Sequence, residues 1–104
     1  MKYTELCSDK RYIELMNRCQ NLPISKVLSY NTDEMWPDMP EYLKESFYNN
    51  LNPDEIYYVS IIDIIDEFFL FQEESITSEQ RDEVLDWALK LKDINLIYFI
   101  EKDV

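Results

Sequence analysis

The stretch from Ile56 to Phe71 limits the fold more than any other part of this chain. It is the most apolar segment present, and only Ser60, Asp63, Asp66 and Glu67 interrupt it. A membrane span needs roughly 20 nearly uncharged residues, so the segment belongs in a core and not in a bilayer. Its polar residues recur three to four positions apart, the period of a helix with one narrow polar stripe. A helix that is apolar around the rest of its circumference is buried by its neighbours, so this one is expected to be central. Asn52-Pro53 reads as an N-cap with proline in the first helical position. Asp54 and Glu55 then suit the positive helix end, and the helix should run to about Glu73.

The flanking segments carry the same period. Ser8 is expected to cap a first helix that buries Tyr12, Leu15, Met16 and Cys19 and ends near Gln20. Pro23 is expected to open a short second helix with Val27, Leu28 and Tyr30 on its apolar side. Pro37 and Pro40 mark a loop that Trp36 and Met39 pin to the core. A third helix begins at Pro40 or Glu41 and buries Tyr42, Leu43, Phe47 and Leu51. Thr77 and Gln80 fit a capping box, opening a helix that buries Val84, Leu85, Trp87, Ala88 and Leu91. Residues Ile94 to Ile100 suit a helix or a strand; a strand with no partner is unstable, so a helix forming an αα-hairpin is expected. The expectation is a single all-α domain over residues 1–104, a small bundle of five or six helices.

Composition removes whole classes of function. The 104 residues include no His and no Gly, with 10 Lys+Arg against 22 Asp+Glu and a net charge of −12. Without His there is no Ser-His-Asp triad and no His-bearing zinc site. Without Gly there is no phosphate-cradling loop, nucleophile elbow or EF-hand loop. A conventional enzyme is therefore not expected, nor any cofactor or metal. Cys7 and Cys19 are too few for a disulfide framework and are read as buried, reduced thiols. The N-terminal residues form no long apolar run, so no signal peptide is expected and the protein is taken to be cytoplasmic. The charge opposes direct contact with nucleic acid or an anionic membrane.

That charge is unevenly placed. Residues 1–52 carry eight acidic and six basic side chains, whereas residues 53–104 carry fourteen and four, a net of −10. From Asp54 to Asp86 there are eleven carboxylates and one cation, Arg81. Helical periodicity gathers Asp63, Asp66 and Glu67 on one outer face and Glu79, Asp82, Glu83 and Asp86 on the next. Packing like charges so closely costs stability, and an available return is attraction of a basic partner. Tyr42, Tyr48, Tyr57 and Tyr58 stand beside acidic residues as candidate anchors. Reversing Asp63, Asp66, Glu67, Asp82 and Asp86 to Lys should slow association, whereas Glu5, Asp9 and Glu14 should matter little.

The run Asp54-Glu55-Ile56-Tyr57-Tyr58 resembles the acidic-then-Ile-Tyr-Tyr segment of immunity proteins that neutralise nuclease bacteriocins. That resemblance implies a small, acidic, cytoplasmic helical bundle, with Tyr57 and Tyr58 as anchors and Asp54 and Glu55 beside them. The family places Pro after its second tyrosine, where this chain has Val59. The contact set expected for a basic nuclease toxin or nucleic-acid-binding effector is then Asp54, Glu55, Tyr57, Tyr58, Asp63, Asp66, Glu67, Glu79, Asp82, Glu83 and Asp86. Two other roles share the carboxylate face: a phage DNA mimic that blocks a CRISPR or restriction effector, and an acidic adaptor domain. A third rests on Asp63-x-x-Asp66-Glu67 with Glu79-x-x-Asp82, which loosely resembles the paired acidic motifs of all-α nucleotide pyrophosphatases. Those motifs hold Mg²⁺ on facing helices.

Overall fold

A computed structural model of the chain describes residues 2–21, 25–28, 36–49, 57–72, 74–91 and 96–100. For residues 25–28, 57–59 and 96–100 it describes backbone and pairing alone. Five helices are present among these residues: α1 (Tyr3–Cys7), α2 (Lys10–Asn21), α3 (Glu41–Asn49), α4 (Ile61–Phe71) and α5 (Ser78–Leu89). One hydrophobic cluster joins all five, and Trp36, Met39, Ile76 and Leu91 complete it from the connecting segments. The described core is thus the small helical bundle that the periodicity calls for.

Helix α4 is the central element. Ile61, Ile62, Ile64, Ile65, Phe68 and Phe69 are all buried along it. α1 and α3 pack against α4, and α2 packs against α5. Phe68 meets Phe69 edge-on at 5.5 Å and Tyr42 of α3 at 5.6 Å between ring centroids. Trp36 is completely buried and sits edge-on to Phe47. Each large side chain so enclosed contributes about 1.5–3 kcal/mol relative to exposure, which makes this cluster the main source of stability. The loop ahead of α3 is clamped from outside: Trp87 Nε1 donates to the Pro37 carbonyl at 2.8 Å, and Asp38 takes a left-handed conformation (φ 63°).

Beside the helices runs a three-stranded sheet that the periodicity did not announce. Strand β3 (Leu96–Ile100) lies between β1 (Ser25–Leu28), which is parallel to it, and β2 (Tyr57–Ser60), which is antiparallel. Three expectations are corrected here. Leu96–Ile100, expected within a docked helix, is a strand; the segment holding Val27 and Leu28 is a strand over Ser25–Leu28; and within the long helix drawn from Pro53, Tyr57–Ser60 is a strand. The cause is the same in each case. Tyr, Phe, Ile and Val lose side-chain rotamer freedom in a helix and fit a pleated surface. The strand alternative for Ile94 to Ile100 fails only for want of a partner, and its described part, Leu96–Ile100, finds two in segments expected to be helical. Asn52, Pro53, Asp54 and Glu55 lie outside the described residues.

Both long acidic helices begin with reciprocal caps. The Thr77 hydroxyl accepts from Gln80 N at 3.1 Å, and Gln80 Oε1 accepts from Thr77 N at 3.0 Å, as the spacing foretold. Ser60 and Asp63 make the same box at the start of α4. Ser8, expected to cap α2, instead ends α1, and Asp9 takes the cap with its Oδ1 accepting from Arg11 N at 2.9 Å.

Candidate partner-binding surface

The carboxylates expected on one surface separate into several environments. The α5 group is tied to α2 through Arg11. Its Nη2 reaches Asp82 Oδ1 at 2.6 Å and Asp9 Oδ2 at 3.0 Å, and its Nη1 reaches Asp86 Oδ1 at 3.2 Å. Arg81 Nε adds contacts to Asp82 at 3.3 Å and Asp9 at 3.7 Å. Hydrogen bonds from the Arg11 guanidinium hold the Asp9 and Asp82 carboxyls below the usual carboxylate range. The same bonds push the Arg11 pKa further up. Asp9 is the most enclosed member, its side chain only 13% exposed. Asp9, whose reversal is expected to matter little for association, has a structural role: it caps α2 and completes this cluster.

Asp66 is placed differently. It is half-buried beneath α1 and α2, where Tyr12 Oη donates to its Oδ1 at 2.6 Å and Tyr3 Oη at 3.1 Å. Burial raises its pKa, and the two hydroxyl donors only partly offset that. Burial and the bond to Asp66 likewise push the Tyr12 hydroxyl pKa up. Because Arg11 and Tyr12 are consecutive, the first turns of α2 hold Asp82 on one side and Asp66 on the other.

Asp63 is exposed but serves the α4 cap, its Oδ2 accepting from Ser60 N and Ser60 Oγ, each at 3.1 Å. Glu83 is exposed beside Tyr42, whose hydroxyl is pushed up by burial first and by that carboxylate second. Glu79 is exposed in the first turn of α5. Glu67 is exposed on α4, and its pKa is raised by partial desolvation and by the neighbouring Asp63 charge. Among the described residues no cation pairs with Asp63, Glu67, Glu74, Glu79 or Glu83. Tyr57 and Tyr58 lie in β2 opposite Ile100 and Phe99, so the resemblance's two anchors fall on a strand.

Two residues absent from the expected contact set stand out at the end of α4. Leu70 is 52% exposed and Phe71 is 70% exposed, although both were counted among the apolar residues that turn inward. A signal for them existed. At helical spacing, position 67 leads to 70 and 71, so both fall on or beside the acidic stripe. Residue type alone had hidden that angle. Tyr48, also nominated as an anchor, is 43% exposed at the end of α3. The thiols also depart from expectation: among the described residues neither forms a disulfide, but Cys7 is exposed and Cys19 half-buried.

Among the described residues, no group of three or more Cys, Asp or Glu side chains is arranged to hold a metal ion. Nor is any described helix long and apolar enough to cross a membrane. No protein-family model, curated protein or solved structure matches the chain.

Proposed function

We propose that this protein is a small acidic inhibitor that binds and neutralises a basic, nucleic-acid-handling enzyme, as the immunity protein of a bacterial nuclease toxin does. The observation that carries the reading is the charge distribution: a net −10 of the total −12 falls in residues 53–104. The exposed Glu67, Glu74, Glu79 and Glu83, with no cation beside them among the described residues, support it. Such carboxylates raise the on-rate for a cationic partner, and the effect falls steeply with salt. Basic clefts of this kind are characteristic of proteins that handle nucleic acid. The action is cytoplasmic in this reading.

A patch-binding inhibitor is favoured over a DNA mimic because the carboxylates form no uninterrupted row. Asp82 and Asp86 engage Arg11, Asp66 engages two tyrosines, and apolar Leu70 and Phe71 follow Glu67. The test is affinity capture from the native host at low salt, mass spectrometry of what is retained, and a cleavage assay on the purified partner. A basic nuclease whose activity falls in stoichiometric proportion to added protein is expected. Retention of acidic proteins only, or a partner whose activity is unchanged, overturns the reading.

A further inference from the structure

We infer that the exposed stripe of α4 is the contact surface for the basic partner, with Phe71 as an aromatic anchor entering an apolar recess bordered by Lys or Arg. The inference rests on the proposed inhibitor reading for the partner's charge, and it specifies where and how contact is made.

At about 100° per residue, Asp63, Glu67 and Leu70 fall on one side of α4, and Phe71 borders them. The buried residues Ile61, Ile65, Phe68 and Phe69 occupy the opposite side. The stripe therefore changes chemistry along its length, from a capping carboxylate through Glu67 to two large apolar side chains, with exposed Glu74 just beyond. Phe71, at 70%, is the most exposed large hydrophobic residue among those described. Water against a phenyl ring is unfavourable, and burying such a ring in a partner recovers most of that cost. An aromatic centre with a charged rim is the usual anatomy of a binding hot spot. A Lys or Arg bordering the recess can pair with Glu67 or Glu74 and also lie over the ring face.

The charge selects the occupant. A second copy seated on the same stripe brings Asp63, Glu67 and Glu74 against their own kind, in a chain already at −12. A cationic surface removes that repulsion and relieves the crowding of Glu67 by Asp63. On α5, Asp82 and Asp86 are the weaker contacts because breaking either away from Arg11 forfeits bonds already made. Asp63 is a poor site for a charge test because it caps α4, so Glu67 and Glu74 are the residues to change.

The probe is a synthetic amphipathic Lys/Leu helical peptide, with oligolysine as the purely electrostatic control. Amide chemical shifts are followed by NMR on titration into the full chain. Saturable shifts centred on residues 63–74 are expected with the amphipathic peptide. Phe71→Ser should weaken that binding at least about tenfold while leaving the thermal midpoint and oligolysine binding unchanged. Leu70→Ser reads the same surface if the first variant folds poorly. Glu67→Lys with Glu74→Lys should weaken both probes and flatten their salt dependence. Shifts centred on Asp82 and Asp86, or scattered over every acidic residue, overturn the inference, as does wild-type affinity in both apolar variants. So does a wild-type dimer in high salt that Phe71→Ser converts to monomer, because the occupant is then a second copy. Peptide binding at α4 alongside capture that yields no nuclease removes the inhibitor reading and leaves this surface standing.

Discussion

Helices α4 and α5 look alike as sequence, each opening on a reciprocal cap and each carrying several carboxylates on an outer face. In the folded chain they do different work. On α5, Asp82 and Asp86 are drawn into a cluster with Arg11 and Arg81, so much of that helix's negative charge is answered from within. On α4, Asp66 turns toward Tyr3 and Tyr12, while Glu67, Leu70 and Phe71 face outward. The difference comes from α2, whose Arg11 and Tyr12 bind one acidic helix each. A count of carboxylates along a chain measures how much charge exists. The placement of a single arginine determines how much remains available to a partner.

The largest effect on stability should come from removing that arginine. Arg11→Ala leaves Asp9 and Asp82 with Arg81 alone and Asp86 with no cation among the described residues, and Asp9 is the most enclosed of the three. A loss of about 1–2 kcal/mol is expected, held to that size because the cluster is partly exposed and screened. Urea denaturation reads it, and partner affinity should hold or rise because Asp82 and Asp86 are freed. A stability within error of wild type would mean that α5 is as unengaged as α4, and the contrast between the helices would collapse.

Next in size is the tyrosine contact on the α4 side. Tyr12→Phe removes the shorter of two donors to a half-buried carboxylate and should cost about 1 kcal/mol. The companion Asp66→Asn keeps an acceptor for both hydroxyls and removes the buried charge, so it should cost less. If Asp66→Asn proves the more damaging change, the charge itself is stabilising, and Asp66 belongs with the α5 carboxylates.

Within α4 the two outward acids can be separated as well. Asp63→Ala should lose about 1 kcal/mol through the cap. Glu67→Ala, one turn further on, should fall within about 0.5 kcal/mol of wild type. Equal losses would show that Glu67 has a folding role and would weaken its claim to the partner surface.

Much of the helical part of this arrangement was legible in the residues. The buried positions of α2, α3 and α5, the Thr77–Gln80 box and the pinning by Trp36 and Met39 follow local rules that act within a few residues. The strands were not legible because pairing is non-local. Leu96 to Ile100 becomes a strand through Ser25 to Leu28 and Tyr57 to Ser60, segments far from it in the chain. The outward acids were partly visible: periodicity put Asp63 and Glu67 on the surface, but no local rule joins Arg11 to Asp82 across 71 positions. The exposure of Phe71 was accessible in principle, since the spacing that placed Glu67 outside also places residue 71 beside it.

The smallest expected effect is a change of slope with pH, and its sign differs between the two sides of α2. Asp9 and Asp82 have folded-state pKa values below the ordinary 3.8, so their contribution is present above that value. It is lost as pH falls through the lower folded values. Asp66 has a folded-state pKa above 3.8, so the folded state takes up its proton first. Its contribution is therefore complete below 3.8 and lost as pH rises through the raised value. Stability should thus climb as pH falls from neutrality toward the carboxylate range, then drop once the Arg11 cluster is protonated. Asp66→Asn should make the climb shallower and leave the drop in place, whereas Arg11→Ala should flatten the drop and leave the climb. Urea midpoints measured across that range separate the two. If the Asp66→Asn slope equals that of wild type, the climb belongs to Glu67 and to relief of the overall −12 charge, and the half-buried carboxylate of α4 titrates like an exposed one.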